Sequence, residues 1–167
     1  AGDRISLQFA DRRLLGLSID QGTLQSQIDN GGVILAEGGI VHITAKGLNE
    51  LSKAVINHDG IIEATTSALN EKGEIILLAD MQHGRTAISG SLRAEGKHPG
   101  TDGGFVETSG AQVKVSDSAQ VRTKAAGGKT GTWLIDPVDF TIAASGGDIS
   151  GMVLGSSLNS NDVTIYS

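Results

Sequence analysis

"IDNGGVILAEGGIVHITA", Ile28 to Ala45, is the stretch whose reading decides the fold. It opens on a small polar turn, gives an apolar triplet, crosses a short loop with glycine and closes on a second apolar run. The same order of features returns in "INHDGIIEATTSALNEKGEIILLA" (Ile56 to Ala79) and in "ISGSLRAEGKHPGTDGGFVETSG" (Ile88 to Gly110). A looser copy follows in "VKVSDSAQVRTKAAGGKTGTWLI" (Val113 to Ile135). Aligned on Ile34, Ile62, Leu92 and Val121, the first apolar runs are spaced by 28, 30 and 29 residues. Aligned on Val41, Ile76, Val106 and Leu134, the second runs are spaced by 35, 30 and 28. A period near 30 residues, with its variation in the loops, marks one supersecondary unit repeated along the chain.

Each unit holds several runs of three to five residues rich in Val, Ile and Thr, which read as short strands. A sandwich needs tight hairpins at regular spacing. The "NGG" at Asn30 leads straight into the next run instead. A solenoid fits: equivalent residues stack about 4.8 Å apart, each strand bonds to its counterpart in the next coil, and aliphatic side chains form ladders inside a narrow tube. The expected fold is all-β, a right-handed parallel β-helix of about five coils and about 25 Å. Glycine, at 24 of 167 residues, is about twice its usual share of roughly 7%, as the corners of such coils require. Asn30, Asn57 and Asp59 sit where left-handed turn conformations are expected. Two segments have near-helical apolar spacing. They are Asn49 to Ile56, and Asp148 to Ser160 with Ile149, Val153 or Leu154, and Leu158 as its apolar face.

Net charge is −6, and Lys and Arg are scattered, so no basic stripe offers itself to nucleic acid or to an anionic membrane surface. No apolar run approaches the roughly 20 residues that cross a bilayer as a helix. The chain has no cysteine. That is common in small cytosolic domains, and it is also what a chain needs if it must pass unfolded through an oxidising periplasm and an outer-membrane pore. Composition leaves both open.

"GTWLIDPVDFTI", Gly131 to Ile142, holds the only tryptophan and one of two prolines. Asp136 precedes Pro137 and is biased away from the helical region, so the pair forms a corner after the strand "TWLI". Trp133 is expected to cover an edge or the seam where regular coils give way. The division that follows is 1–135 as β-helix coils and 136–167 as a junction or capping segment, with a helix over Ser150 to Ser160 as lid. The alternative for Trp133 is a sugar-stacking platform; a lone tryptophan within an apolar run is more often core.

"WLIDPVDFTI" with the preceding "GGFVETSG" (Gly103 to Gly110) resembles a signature of the large exoproteins of bacterial two-partner secretion, the filamentous haemagglutinin-like adhesins. "AGDRISLQFADRRLLGLSID" (Ala1 to Asp20) and Asn30 to Ala64 also resemble coils found downstream of that family's secretion domain. The resemblance implies a right-handed parallel β-helix, exported through a cognate outer-membrane transporter and secreted or displayed on the cell surface. It implies attachment to a host-cell surface protein or glycan, with Trp133, Leu134, Ile135, Asp136 and Pro137 as a structural signature. The family's secretion domain carries an NPNG or NPNL motif. This chain has no Asn-Pro, its prolines following His98 and Asp136, so it is expected to be a segment beyond that domain.

Other chemistry is thinly signalled. His42, His58, His83 and His98 fall in different coils with no HExxH or i, i+4 pair, so no metal or cofactor site is expected. "PGTDGG" and "SGGDISG" look like calcium turns but lack the nonapeptide repeat. Ser89 and Ser109 lack a nucleophile elbow. Glu63, Asp80 and Glu107, with Arg85, Arg93 and Arg122, are the carboxylates and cations a polysaccharide-acting β-helix would cluster; on a solenoid, outward charges are ordinarily a solvated face. The candidate partner-binding loop is Glu95 to Gly104, with Glu95, Lys97, His98, Thr101 and Asp102. The expected role is that of a non-enzymatic adhesin segment, a rigid stalk and contact surface; the alternatives are loop-mediated capture of a specific host protein and, less favoured, a polysaccharide-acting enzyme.

Overall fold

Strands here come in threes because each repeat carries three short runs whose inward residues alternate with outward ones. The computed structural model describes residues 4–10, 13–21, 25–47, 53–66 and 72–167. After β1 (Arg4–Ala10) and β2 (Arg13–Gln21), which form a sheet of their own with β2 lying against β5, the first coil is β3 (Gln25–Asn30), β4 (Val33–Leu35) and β5 (Ile40–Ala45). The second is β6 (Lys53–His58), β7 (Ile61–Glu63) and β8 (Glu74–Ala79); the third is β9 (Gly84–Ile88), β10 (Ser91–Arg93) and β11 (Phe105–Ser109). The fourth is β12 (Gln112–Val115), β13 (Gln120–Arg122) and β14 (Thr132–Asp136). Two short strands, β15 (Ile142–Ala143) and β16 (Ile149–Ser150), the helix α1 (Gly151–Ser157) and β17 (Asp162–Ile165) follow.

Three parallel sheets form the walls: β3-β6-β9-β12, β4-β7-β10-β13 and β5-β8-β11-β14-β17. The fold is a parallel β-helix, a solenoid that shows, among the described residues, four three-stranded coils with β17 added to the third sheet, where about five coils were expected. The first apolar runs stack in the register their spacing predicts, Ile34 on Ile62 on Leu92 on Val121. The second runs do not. The inward ladder is Val41, Ile75, Val106, Trp133 and Val163, whereas Ile76 and Leu134 face outward. A slip of one residue exchanges the two faces of a strand, and Ile75 and Trp133 are fully buried.

Glycine serves coil-to-coil approach more than turning. A Cβ on Gly90 would lie 2.2 Å from Gly60 O, and one on Gly131 would lie 2.0 Å from Gly104 O. Bare backbones pass each other there, and no side chain fits. At the corner between the first two sheets the polar residues bond between coils: Asn57 Nδ2 donates to Asp29 Oδ1 at 2.8 Å, and Asn30 Nδ2 lies 3.2 Å from His58 Nδ1.

Three sequence expectations are corrected. Residues Lys53 to Ile56 belong to strand β6, and the remainder of the Asn49 segment lies outside the described residues. β1 and β2 pair antiparallel, so they form a hairpin and no coil. The helix near the end is α1, capped by the Ser150 hydroxyl accepting from Val153 N; Ile149 and Val153 are buried as expected, but Leu158 is 59% exposed.

Candidate functional site

The loop singled out from sequence is short and tied down at both ends. Gly96 bridges to Thr66 and to Ala125, continuing the sheet, and Glu95 Oε1 lies 3.3 Å from Arg122 Nε. Lys97 pairs with Glu63. Thr101 is buried, its hydroxyl donating to His98 O at 2.7 Å, and Asp102 Oδ1 accepts from Lys129 N at 2.8 Å. The exposed tip is therefore Lys97 to Gly100. Of the candidate contact residues, only Lys97 and His98 stand on it; Thr101 and Asp102 fasten its base.

The Trp133 segment is interior. Trp133 is fully buried, with Nε1 donating to Thr108 Oγ1 at 3.1 Å, and β17 stacks Val163 upon it. It presents no face for a sugar. Ile135 and Pro137 are also buried, while Leu134 and Asp136 are half-buried on the outer side. The Asp136 carbonyl accepts from Gly110 N at 3.2 Å at the corner.

The carboxylates do not converge. Glu63 stands on the outer face of the second sheet with Arg93 in register beside it. Glu107 is on the outer face of the third and accepts from Ser109 Oγ at 2.7 Å. Asp80 caps its own turn, accepting from the backbone N–H of Gln82 and of His83. Among the described residues no three His, Asp or Glu side chains group as metal ligands. His58 is buried; its Nε2 lies 3.1 Å from Ser91 O and Nδ1 faces the Asn30 amide, so the neutral ring is fully partnered and burial lowers its pKa.

A groove that sequence reasoning missed lies on the outer face of the first sheet. It is open to solvent and has a volume of about 680 Å³. Its floor follows the register Asp29, Asn57, Ala87, Lys114 on β3, β6, β9 and β12, and the alanine makes it deep. Arg85 stands in the neighbouring row. One wall is the turn Ala143 to Gly147 between β15 and β16, folded back over β12. Lys114 Nζ holds that wall, donating to Gly147 O at 2.9 Å and pairing with Asp148 at 3.0 Å. Val115 N donates to Asp148 O, and Ser150 Oγ donates to Asp117 Oδ1 at 2.7 Å. Burial pushes the Asp148 carboxyl up, but the Thr141 N–H and Lys114 outweigh it and hold its pKa below the ordinary value. Chemically the groove offers oriented hydrogen-bond donors and acceptors on successive rungs.

Compared with protein families, with curated proteins and with solved structures, the chain matches none.

Proposed function

We propose that this chain is a segment of a secreted or surface-displayed bacterial adhesin of the two-partner secretion type, serving as rigid stalk and contact surface for host attachment. The observation that carries the reading is the unbroken stacking of four coils in three parallel sheets. Such a body resists bending because every coil is hydrogen-bonded to its neighbours on three sides. Its stability is a sum of nearest-neighbour terms, so folding propagates coil by coil without an energy source, as a chain emerging unfolded outside a cell requires. The lack of cysteine supports the same route. The partners proposed are a transporter in the outer membrane during export and a host-cell protein or glycan afterwards.

The test is attachment. The purified chain, labelled, is applied to cultured epithelial cells and to a glycan array, and is also refolded by dilution from urea. Spontaneous refolding with saturable attachment is the expected result. A chain that refolds yet attaches to neither is a spacer only, and the contact role is then lost. A second reading, capture of one host protein by the loop, is favoured by the exposed Lys97–Gly100 tip on a fixed base; replacing Lys97 to Gly100 with glycine and serine abolishes attachment under that reading and spares it under the first.

A further inference from the structure

We infer that the groove over the first sheet binds a neutral, hydroxyl-rich glycan chain lying along the solenoid axis. The inference rests on the contact-surface reading above and assigns it a place and a ligand class. Three observations lead there. The groove crosses the coils, so side chains from successive coils line it at the coil spacing of about 4.8 Å, near the length of one hexose unit in an extended chain. Successive sugars therefore meet successive rungs, Asp29, Asn57, Ala87 and Lys114 in turn.

The polar groups suit hydroxyls. Asp29 is held in place by two donors, Asn57 Nδ2 at 2.8 Å on Oδ1 and Gln27 Nε2 at 2.9 Å on Oδ2. A carboxylate has about four lone-pair sites, so each oxygen can still accept from a ligand hydroxyl. The Asn57 amide oxygen adds an acceptor on the next rung. On the third rung Arg85 is exposed and makes no ion pair or side-chain hydrogen bond among the described residues. Its fork of donors is left for ring and glycosidic oxygens.

Charge selects the class. Asp29, Asp59 and Asp117 line the groove against Arg85 and Lys114, and Lys114 is already engaged with Asp148. The balance is negative, so sulfated or uronate chains are repelled. Apart from His58, Ile88 and Val115, all buried, the lining has no aromatic or large aliphatic side chain, so an amphipathic helix has no anchor. Neutral hexose or N-acetylhexosamine chains remain.

The experiment titrates the full chain with neutral linear hexasaccharides of glucose, mannose and N-acetylglucosamine, and with galacturonate and sulfated hexasaccharides as the anionic arm. At least one neutral chain binds more tightly than every anionic one, and more tightly than its own disaccharide. Arg85→Ala and Asp29→Ala each weaken binding roughly tenfold, as loss of a hydrogen bond to a charged group should. Ala87→Gln, which fills the floor, abolishes it, and Gln120→Ala, on the second sheet, leaves it unchanged. Circular dichroism and urea midpoints of these surface variants match the parent. Binding to no neutral chain, a preference for the anionic arm, or indifference to Ala87→Gln overturns the inference. If the parent attaches to cells and Ala87→Gln attaches equally, the groove is wrong while the adhesin reading stands; if the parent does not attach at all, that reading fails on its own.

Discussion

Trp133 donates its indole N–H to the hydroxyl of Thr108, one coil away, at 3.1 Å, and Thr108 Oγ1 in turn lies 3.3 Å from Leu134 O. The two stretches "GGFVETSG" and "WLIDPVDFTI" thus stand on neighbouring rungs of one sheet, Val106 in register with Trp133. Their joint presence has a physical basis. A large ring fits inside the tube only where the rung beneath supplies both an apolar bed and a hydrogen-bond acceptor for its N–H.

Replacing Trp133 follows from that pair. Trp133→Phe keeps most of the packing and loses the hydrogen bond, at a cost of about 1–3 kcal/mol; Trp133→Ala costs about 3–5 kcal/mol. Urea unfolding followed by far-UV circular dichroism measures both. In the parent the single tryptophan emits as a buried indole, with a shift to longer wavelength on unfolding.

Register can be tested by two adjacent substitutions. Ile75→Asp places a charge in the sealed ladder and should leave the chain unfolded in water. Ile76→Asp sits on the outer face between His42 and Glu107 in register and should lower stability by no more than about 1 kcal/mol. Equal effects in a urea titration would contradict the assignment of faces.

Glycines at the corners and in the helix should respond with opposite signs. Gly131→Ala forces a methyl against Gly104 O and should cost about 2 kcal/mol or more. Gly155→Ala, in α1 with nothing within 4 Å of the added carbon, should stabilise by about 0.8 kcal/mol. Thermal melting of the two variants decides the matter.

Acid should weaken the fold in two stages. Burial lowers the His58 pKa below its ordinary 6.5, against smaller opposing pulls from Ser91 O and the Asp59 carboxylate. The unfolded state then binds the proton more readily, so the stability from the neutral ring is present above about pH 6.5 and is lost as pH falls below it. His42 is shifted the same way by burial, against Glu107. Asp148 is a depressed carboxyl, so its contribution is present above its ordinary value of 3.8 and disappears only as pH falls further. The urea midpoint should fall between about pH 7 and pH 5, with a shallower fall in His58→Gln, and should fall again in strong acid, less so in Lys114→Ala.

The sequence by itself determined the period, the parallel solenoid and the ladder Ile34, Ile62, Leu92, Val121. Those runs are short, each bounded by turn residues, and only one residue in each can sit at the centre. It also marked the helix near the end. The longer runs "EIILLA" and "TWLID" are apolar at both parities, so alternation does not mark their inner face; only stacking on the neighbouring coils chose Ile75 over Ile76 and Trp133 over Leu134. Lys53 to Ile56 was misread for a related reason, since Leu51 and Val55 fit a helix locally while the sheet offered partners on β3 to Lys53–His58 and on β9 to Ala54–His58. The groove was hidden altogether. Its floor joins residues from four coils and its wall is a segment about 30 residues further on than β12 that folds back through Asp148 and Lys114, contacts that exist only once the chain has closed on itself.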